Sequence, residues 1–188
     1  MEAYEAIEKR RSIRIFKQGV SEEQLRKIIL AGTKAPSAGN RQPWEFIIID
    51  DQKIIDQLAE TKYQQNRRMS PRKGEGQDEV EQNALHQKKS FQNASIVAVC
   101  NKKGDAPGAW LCIENMSLAA VADGLGSVIV SYWGNYKEEA EKTLGIPEGY
   151  ELTSVMKFGV PGEQGFPKEK NPFTPRRPEF SWLHKNRF

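Results

Sequence analysis

Arg10, Arg11 and Arg14 cluster around Ser12, where a helical pattern gives way to an extended one. Guanidinium groups are planar, permanently charged and donate as a fork, which is the chemistry that holds a phosphate. The Ser12 hydroxyl can add a further bond. The same residues would also complement the negative end of a helix, a common arrangement, and the residues alone leave both readings open. A second candidate is the run Pro36-Ser37-Ala38-Gly39-Asn40-Arg41-Gln42-Pro43-Trp44. Its small residues permit a tight backbone whose amides face a ligand. Asn40 and Gln42 can read the polar edge of a heteroaromatic ring. Taken by itself this run reads as a plain loop between a helix and a strand. A third basic pair, Arg176 and Arg177, lies between Pro175 and Pro178. Gly124-Leu125-Gly126-Ser127 lacks the third glycine of a dinucleotide fingerprint and trails a helix, so a helix C-cap accounts for it. Beyond it stand Ser131, Tyr132 and Trp133.

The elements that must position these residues follow from hydrophobic spacing. A first helix is expected over 2–10. Ser21-Glu22-Glu23-Gln24 is a capping box, opening a helix with Leu25, Ile28 and Ile29 on one face. Residues 44–49 read as a buried strand, and Ile54, Ile55 and Leu58 place a helix after it. The stretch 61–94 is polar with scattered charges, either a lid or a pair of exposed helices, and is expected as an insertion. Further strands are expected at 95–100, 128–131 and 151–160. The segment 109–122 is apolar nearly all round and predicts a buried central helix; 137–144 predicts a short exposed one. The expectation is one α+β domain of about four strands with many helices.

Composition narrows the class. A chain of 188 residues, 38% hydrophobic and 28% charged, suits one soluble domain. The net charge is +3, of which residues 167–188 supply +4 (six basic, two acidic), leaving −1 elsewhere. Phe173, Phe180, Trp182 and Phe188 in that tail predict docking on an apolar surface, such as another subunit. Two cysteines, Cys100 and Cys112, sit in apolar runs and predict reduced thiols in the cytoplasm. Two histidines, His86 and His184, do not make a metal site, and no run is suited to a signal peptide or membrane span.

Together, in this order and spacing, the 10–14, 35–44 and 175–178 stretches resemble the nitroreductase family of FMN-dependent NAD(P)H oxidoreductases. The resemblance runs from about Tyr4 to Pro178, with 61–94 unmatched. It implies a central, mostly antiparallel sheet flanked by helices, in a domain-swapped homodimer with flavin at the interface. Arg10, Ser12 and Arg14 match the family's first phosphate and ring contacts, and Arg11 stands among them. Pro36, Ser37, Ala38, Asn40 and Gln42 match a segment that comes from the partner subunit. Ser131 and Tyr132 stand at the strand end along the ring, Arg176 at the second phosphate arginine with Arg177 beside it, and Phe158-Gly159-Val160-Pro161 at the last strand's Gly-x-Pro. Two departures stand out: Thr174 where many members are basic, and Ser131-Tyr132 where many have Gly or Glu–Gly. A bulky Tyr132 would narrow the substrate pocket.

The activity implied is ping-pong hydride transfer from NADH or NADPH, through FMN, to a nitroaromatic, quinone or enone, with no side chain required as general acid. One alternative keeps the fold and dedicates it to one metabolite. Another is a basic nucleic-acid binder using the Arg67–Arg68, Lys88–Lys89 and Lys102–Lys103 pairs, but these are scattered and form no known module.

Overall fold

Five antiparallel strands form the sheet of the computed structural model, which describes residues 1–71, 75–162, 176–178 and 181–187. In chain order the elements are α1 (Ala3–Lys9), β1 (Phe16–Gln18), α2 (Glu22–Gly32), β2 (Trp44–Ile49), α3 (Gln52–Arg67), α4 (Gln77–Lys89), β3 (Ser95–Lys102), α5 (Ala106–Ala122), β4 (Gly126–Val130), α6 (Asn135–Thr143) and β5 (Tyr150–Pro161). The sheet order is β1-β5-β3-β2, and β4 also pairs with β5. β5 is thus the hub of the sheet, pairing with β3, β4 and β1.

Covering both faces of the sheet requires near-continuous apolar runs, and β3 has one. Val97 and Val99 join Met156, Phe158, Ile28, Cys112 and Met116 under α2 and α5. Ile96, Ala98 and Cys100 join Val155, Leu58, Val130 and Ala140 under α3 and α6. The Ser21 capping box is formed: the hydroxyl accepts from the Gln24 amide, and the Gln24 side chain answers the Ser21 amide.

The polar stretch 61–94 is where expectation and structure differ most. α3 continues to Arg67 and α4 packs on it, burying Thr61, Lys62, Gln65, Val80 and Ala84. Polar side chains occupy the inward positions, which hides the helical period from a hydrophobicity reading. β1 was not anticipated, so the sheet has five strands rather than about four. The α5 helix is not buried all round either: Trp110 is 42% and Leu111 48% exposed in the single chain. No described helix is long and apolar enough to cross a membrane.

Candidate active site

Gly126 sets the geometry of the amino-terminal arginines. A Cβ there would lie 2.7 Å from the Ile13 Cβ, so only glycine lets the 12–14 segment run against the start of β4. Ile13 N–H donates to the Ser127 carbonyl at 2.9 Å, and Ser12 bridges Ser127 in parallel. The arginines divide. Arg10 is half-buried and reaches Glu114 of α5 at 3.7 Å. Arg11 donates to the carbonyls of Glu8 and Arg10, which caps the end of α1 as the helix-end reading has it. Arg14 is half-buried, donating to the Ser12 carbonyl at 3.4 Å.

The strand end opposite them is held from behind by α3. Lys62 Nζ donates to the Ser131 carbonyl at 2.8 Å, joined by Gln65 Nε2 at 3.3 Å. The Trp133 amide donates back to Gln65 Oε1 at 3.1 Å. Tyr132 turns away from the site: its ring is buried in the core and its hydroxyl donates to the Leu58 carbonyl at 2.8 Å. Burial pushes that hydroxyl's pKa up. The expected narrowing of a pocket by Tyr132 is therefore not observed, because a buried phenol needs a partner and finds it on α3. Trp133 is the exposed aromatic, at 49%, with the Lys62 ammonium 4.6 Å from its ring centroid. Burial lowers the Lys62 pKa to about 8. Lys62 and Gln65 escaped the sequence reading. Their one signal is spacing, since 55, 58, 62 and 65 form a single helical stripe whose apolar half is continued by polar residues.

Beside this strand end a cavity of about 510 Å³ is lined by Gln64, Arg68, Trp133, Tyr136 and Glu139, among others. A larger cleft of about 610 Å³ lies between α3 and α4, lined by Asp56, Glu60 and Lys88 but by none of the expected site residues.

The 36–42 loop holds several left-handed residues close together. Gly39, Asn40 and Gln42 have φ of 58°, 53° and 48°, a left-handed region that costs non-glycine residues about 1 kcal/mol or more each. Ser37 Oγ accepts from the Gln42 amide, and Gln42 Nε2 donates to Asn40 Oδ1 at 3.2 Å. Arg41 ties the loop to Asp105 at the start of α5. Pro36, Ala38, Asn40 and Gln42 are exposed and Ser37 half-buried. Arg176 and Arg177 are exposed, with the Trp182 indole donating to the Arg177 carbonyl at 3.0 Å. Pro175, Thr174 and the tail aromatics Phe173, Phe180 and Phe188 lie outside the described residues.

The donor set suits a flavin mononucleotide. Arg10, Arg14 and Ser12 offer charge and a hydroxyl to a phosphate, and the positive field of Arg14 and Lys62 suits a ring that gains negative charge. Among the described residues no group of His, Cys, Asp and Glu is placed to hold a metal. Cys100 and Cys112 are free and buried, and burial pushes their thiols up to about 11 and about 12.

Comparison with known proteins agrees with the fold and the family. A model of the nitroreductase family matches residues 7–160. A protein of Archaeoglobus fulgidus, provisionally named an NADH dehydrogenase/NAD(P)H nitroreductase, is 31% identical over 94% of this chain and 95% of its own. A Thermotoga neapolitana protein named iodotyrosine deiodinase is 28% identical over 90% of this chain and 92% of its own. Among solved structures, oxidized iodotyrosine deiodinase bound to FMN and 3-iodo-L-tyrosine shares the fold, with a TM-score of 0.78 over 100% of both chains at 23% identity.

Proposed function

This chain belongs to the nitroreductase family, and from that premise we propose ping-pong hydride transfer from NADH or NADPH, through bound FMN, to a nitroaromatic, quinone or enone. It is an NAD(P)H-dependent FMN oxidoreductase. The observation that carries the reading is the bridge between Ser12 and Ser127, which lays the arginine segment alongside β4, the strand that leads into Ser131–Trp133.

Bound flavin supplies a ring that accepts and returns hydride; position and field come from the chain. Arg10 and Ser12, with Arg176 from the carboxy-terminal arm, hold the phosphate. Arg14 places positive charge beside the ring, where charge develops. Ser131 and Trp133 present backbone fixed by Lys62 and Gln65, so it need not reorganise during transfer. Donor and acceptor occupy the place beside Trp133 in turn, and no side chain serves as general acid.

The loop of Ser37, Ala38, Asn40 and Gln42 serves the site of a partner copy. It is anchored at Asp105, before α5, whereas Ser127 lies past the other end of that helix. An α-helix of 17 residues spans roughly 25 Å, so the loop and Ser127 stand at opposite ends of it, with Arg10 reaching Glu114 between them. Exposed Tyr4 and Ile7 on α1, with Trp110 and Leu111 on α5, offer the apolar face a homodimer would cover. The unpaired cysteines suit the cytoplasm.

A second reading keeps the flavin and narrows the acceptor to one metabolite. The deiodinase-named relative, matched over 92% of its length, favours it. A stopped-flow panel of acceptors against the NAD(P)H-reduced protein tests both: broad reoxidation supports the first, and a single fast acceptor the second. Nucleic-acid binding is not supported, since Arg67 and Lys88 are engaged by Glu81 and Glu60.

A further inference from the structure

Lys157, in the middle of β5, has no solvent exposure. Its ammonium donates to Ser90 Oγ and lies 4.3 Å from the Phe91 ring centroid. Taking an ammonium out of water costs several kcal/mol unless a counter-charge answers it, and apolar residues of similar volume are often as stable or more so. No described carboxylate answers this one. The charges acting on it are Arg14, from the amino-terminal segment, and Lys62, from α3, both positive. From α4, His86 feels both Arg14 and Lys157, while Ser90 gives only a neutral hydroxyl. Burial first, then Arg14 and Lys62, lowers the Lys157 pKa to about 7. An apolar residue of similar volume would serve the fold as well or better.

Its place in the sheet gives the reason. Lys157 pairs with Val128 of β4. The residue before Val128 is Ser127, which bridges Ser12; three residues after Val128 stands Ser131, whose carbonyl takes the Lys62 ammonium. Lys157 therefore lies on the strand next to the Ser12–Ser127 bridge, and Lys62 holds the Ser131 carbonyl at the other stretch assigned to the cofactor.

We propose that Lys157, supported by Lys62, is a positioning charge for the flavin, stabilising the reduced ring and taking up a proton as the ring becomes negative. Hydride brings two electrons and one proton to a neutral ring and leaves one net negative charge. The proton bound by Lys157 comes from solvent and is separate from the hydride. The inference rests on the flavin reading above.

The test is the midpoint potential of the FMN-loaded protein, measured spectroelectrochemically from about pH 6 to about pH 9, for wild type, Lys157→Met and Lys62→Met. Loss of the Lys157 charge should shift the potential to more negative values at about pH 6. In affinity terms, binding of reduced flavin should weaken about tenfold relative to oxidised flavin. The gap should close towards about pH 9, where wild-type Lys157 has lost its proton. Equal potentials at every pH in folded, flavin-loaded Lys157→Met overturn the proposal. Should Lys157→Met fail to fold, the same comparison with Lys62→Met decides, together with proton uptake on reduction of wild type. Uptake by an indicator dye near pH 7 to 8 supports the proposal, and its absence overturns it. Wild-type protein that binds no FMN overturns the functional reading instead, a distinct result.

Discussion

Arg14 and Arg176 are assigned different parts of one ligand, so their removal should have separable effects. Arg14→Ala should weaken FMN binding and slow reduction by NAD(P)H, because one charge-assisted contact is worth about 1.5–3 kcal/mol. Arg176→Ala should weaken binding while leaving the saturated reduction rate near wild type. Stopped-flow reduction and flavin titration check both; an Arg14→Ala protein that binds and is reduced like wild type would remove Arg14 from the ring. Tyr132→Phe probes the opposite case. Its hydroxyl bonds the Leu58 carbonyl inside the core, so the substitution should cost about 1 kcal/mol of stability and leave reduction unchanged. A changed acceptor profile in Tyr132→Phe would bring the ring back into the pocket. At this scale the arginines could be proposed from the sequence because guanidinium chemistry is written in residue type. The contributions of Arg11, Tyr132, Lys62 and Gln65 were not, because each depends on which carbonyl or amide the fold brings within reach.

The α3 helix is the element that links core and site. It supplies the Leu58 carbonyl, the Lys62 ammonium and the Gln65 amide to residues 131–133. Gln65→Leu would take the acceptor from the Trp133 amide, while the Ser131 carbonyl keeps Lys62, at a cost of about 1–3 kcal/mol. Chemical denaturation should show that loss, and weaker flavin retention should accompany it. The buried lysines give the pH dependence a definite sign. The folded-state pKa of Lys157 is about 7 against 10.5 for the free side chain, so the unfolded chain binds more protons between these values. Stability of the apoprotein should therefore rise with pH across that window, by at most about 1.4 kcal/mol per unit for one group. Lys157→Met should flatten the profile; an unchanged slope in a folded variant would mean that Lys157 keeps its ordinary pKa. Capped and strongly periodic elements, α2 and β2 above all, were readable in advance. β1 has three residues, too few to carry a period, and α4 buries only Val80 and Ala84 among polar neighbours, so neither could be recovered from hydrophobicity alone.

For the whole molecule, the proposed reading divides the flavin site between two copies, with the 36–42 loop tied to the start of α5 and residues 12–13 bridged beyond its end. Flavin retention should therefore follow dimerisation. The carboxy-terminal arm is the expected clasp, because its aromatics would each gain about 1.5–3 kcal/mol on burial. Deleting residues from Glu179 onward keeps Arg176 and Arg177, yet should give monomer, aggregate or apoprotein; a truncated protein that remains dimeric by light scattering, folded and fully yellow would contradict the clasp. The family resemblance was legible across most of the chain because its motifs are short, local strings. The proposed assembly comes from that resemblance alone, since in one sequence apolar residues such as Trp110 and Leu111 read as core until their exposure is seen. The central claim, an FMN site built from arginines and completed by a partner, is tested most directly by the cofactor itself. Purified protein should be yellow, and heat-released flavin run on HPLC should be FMN in proportion to chain; FAD, or no flavin after incubation with FMN, would contradict the account.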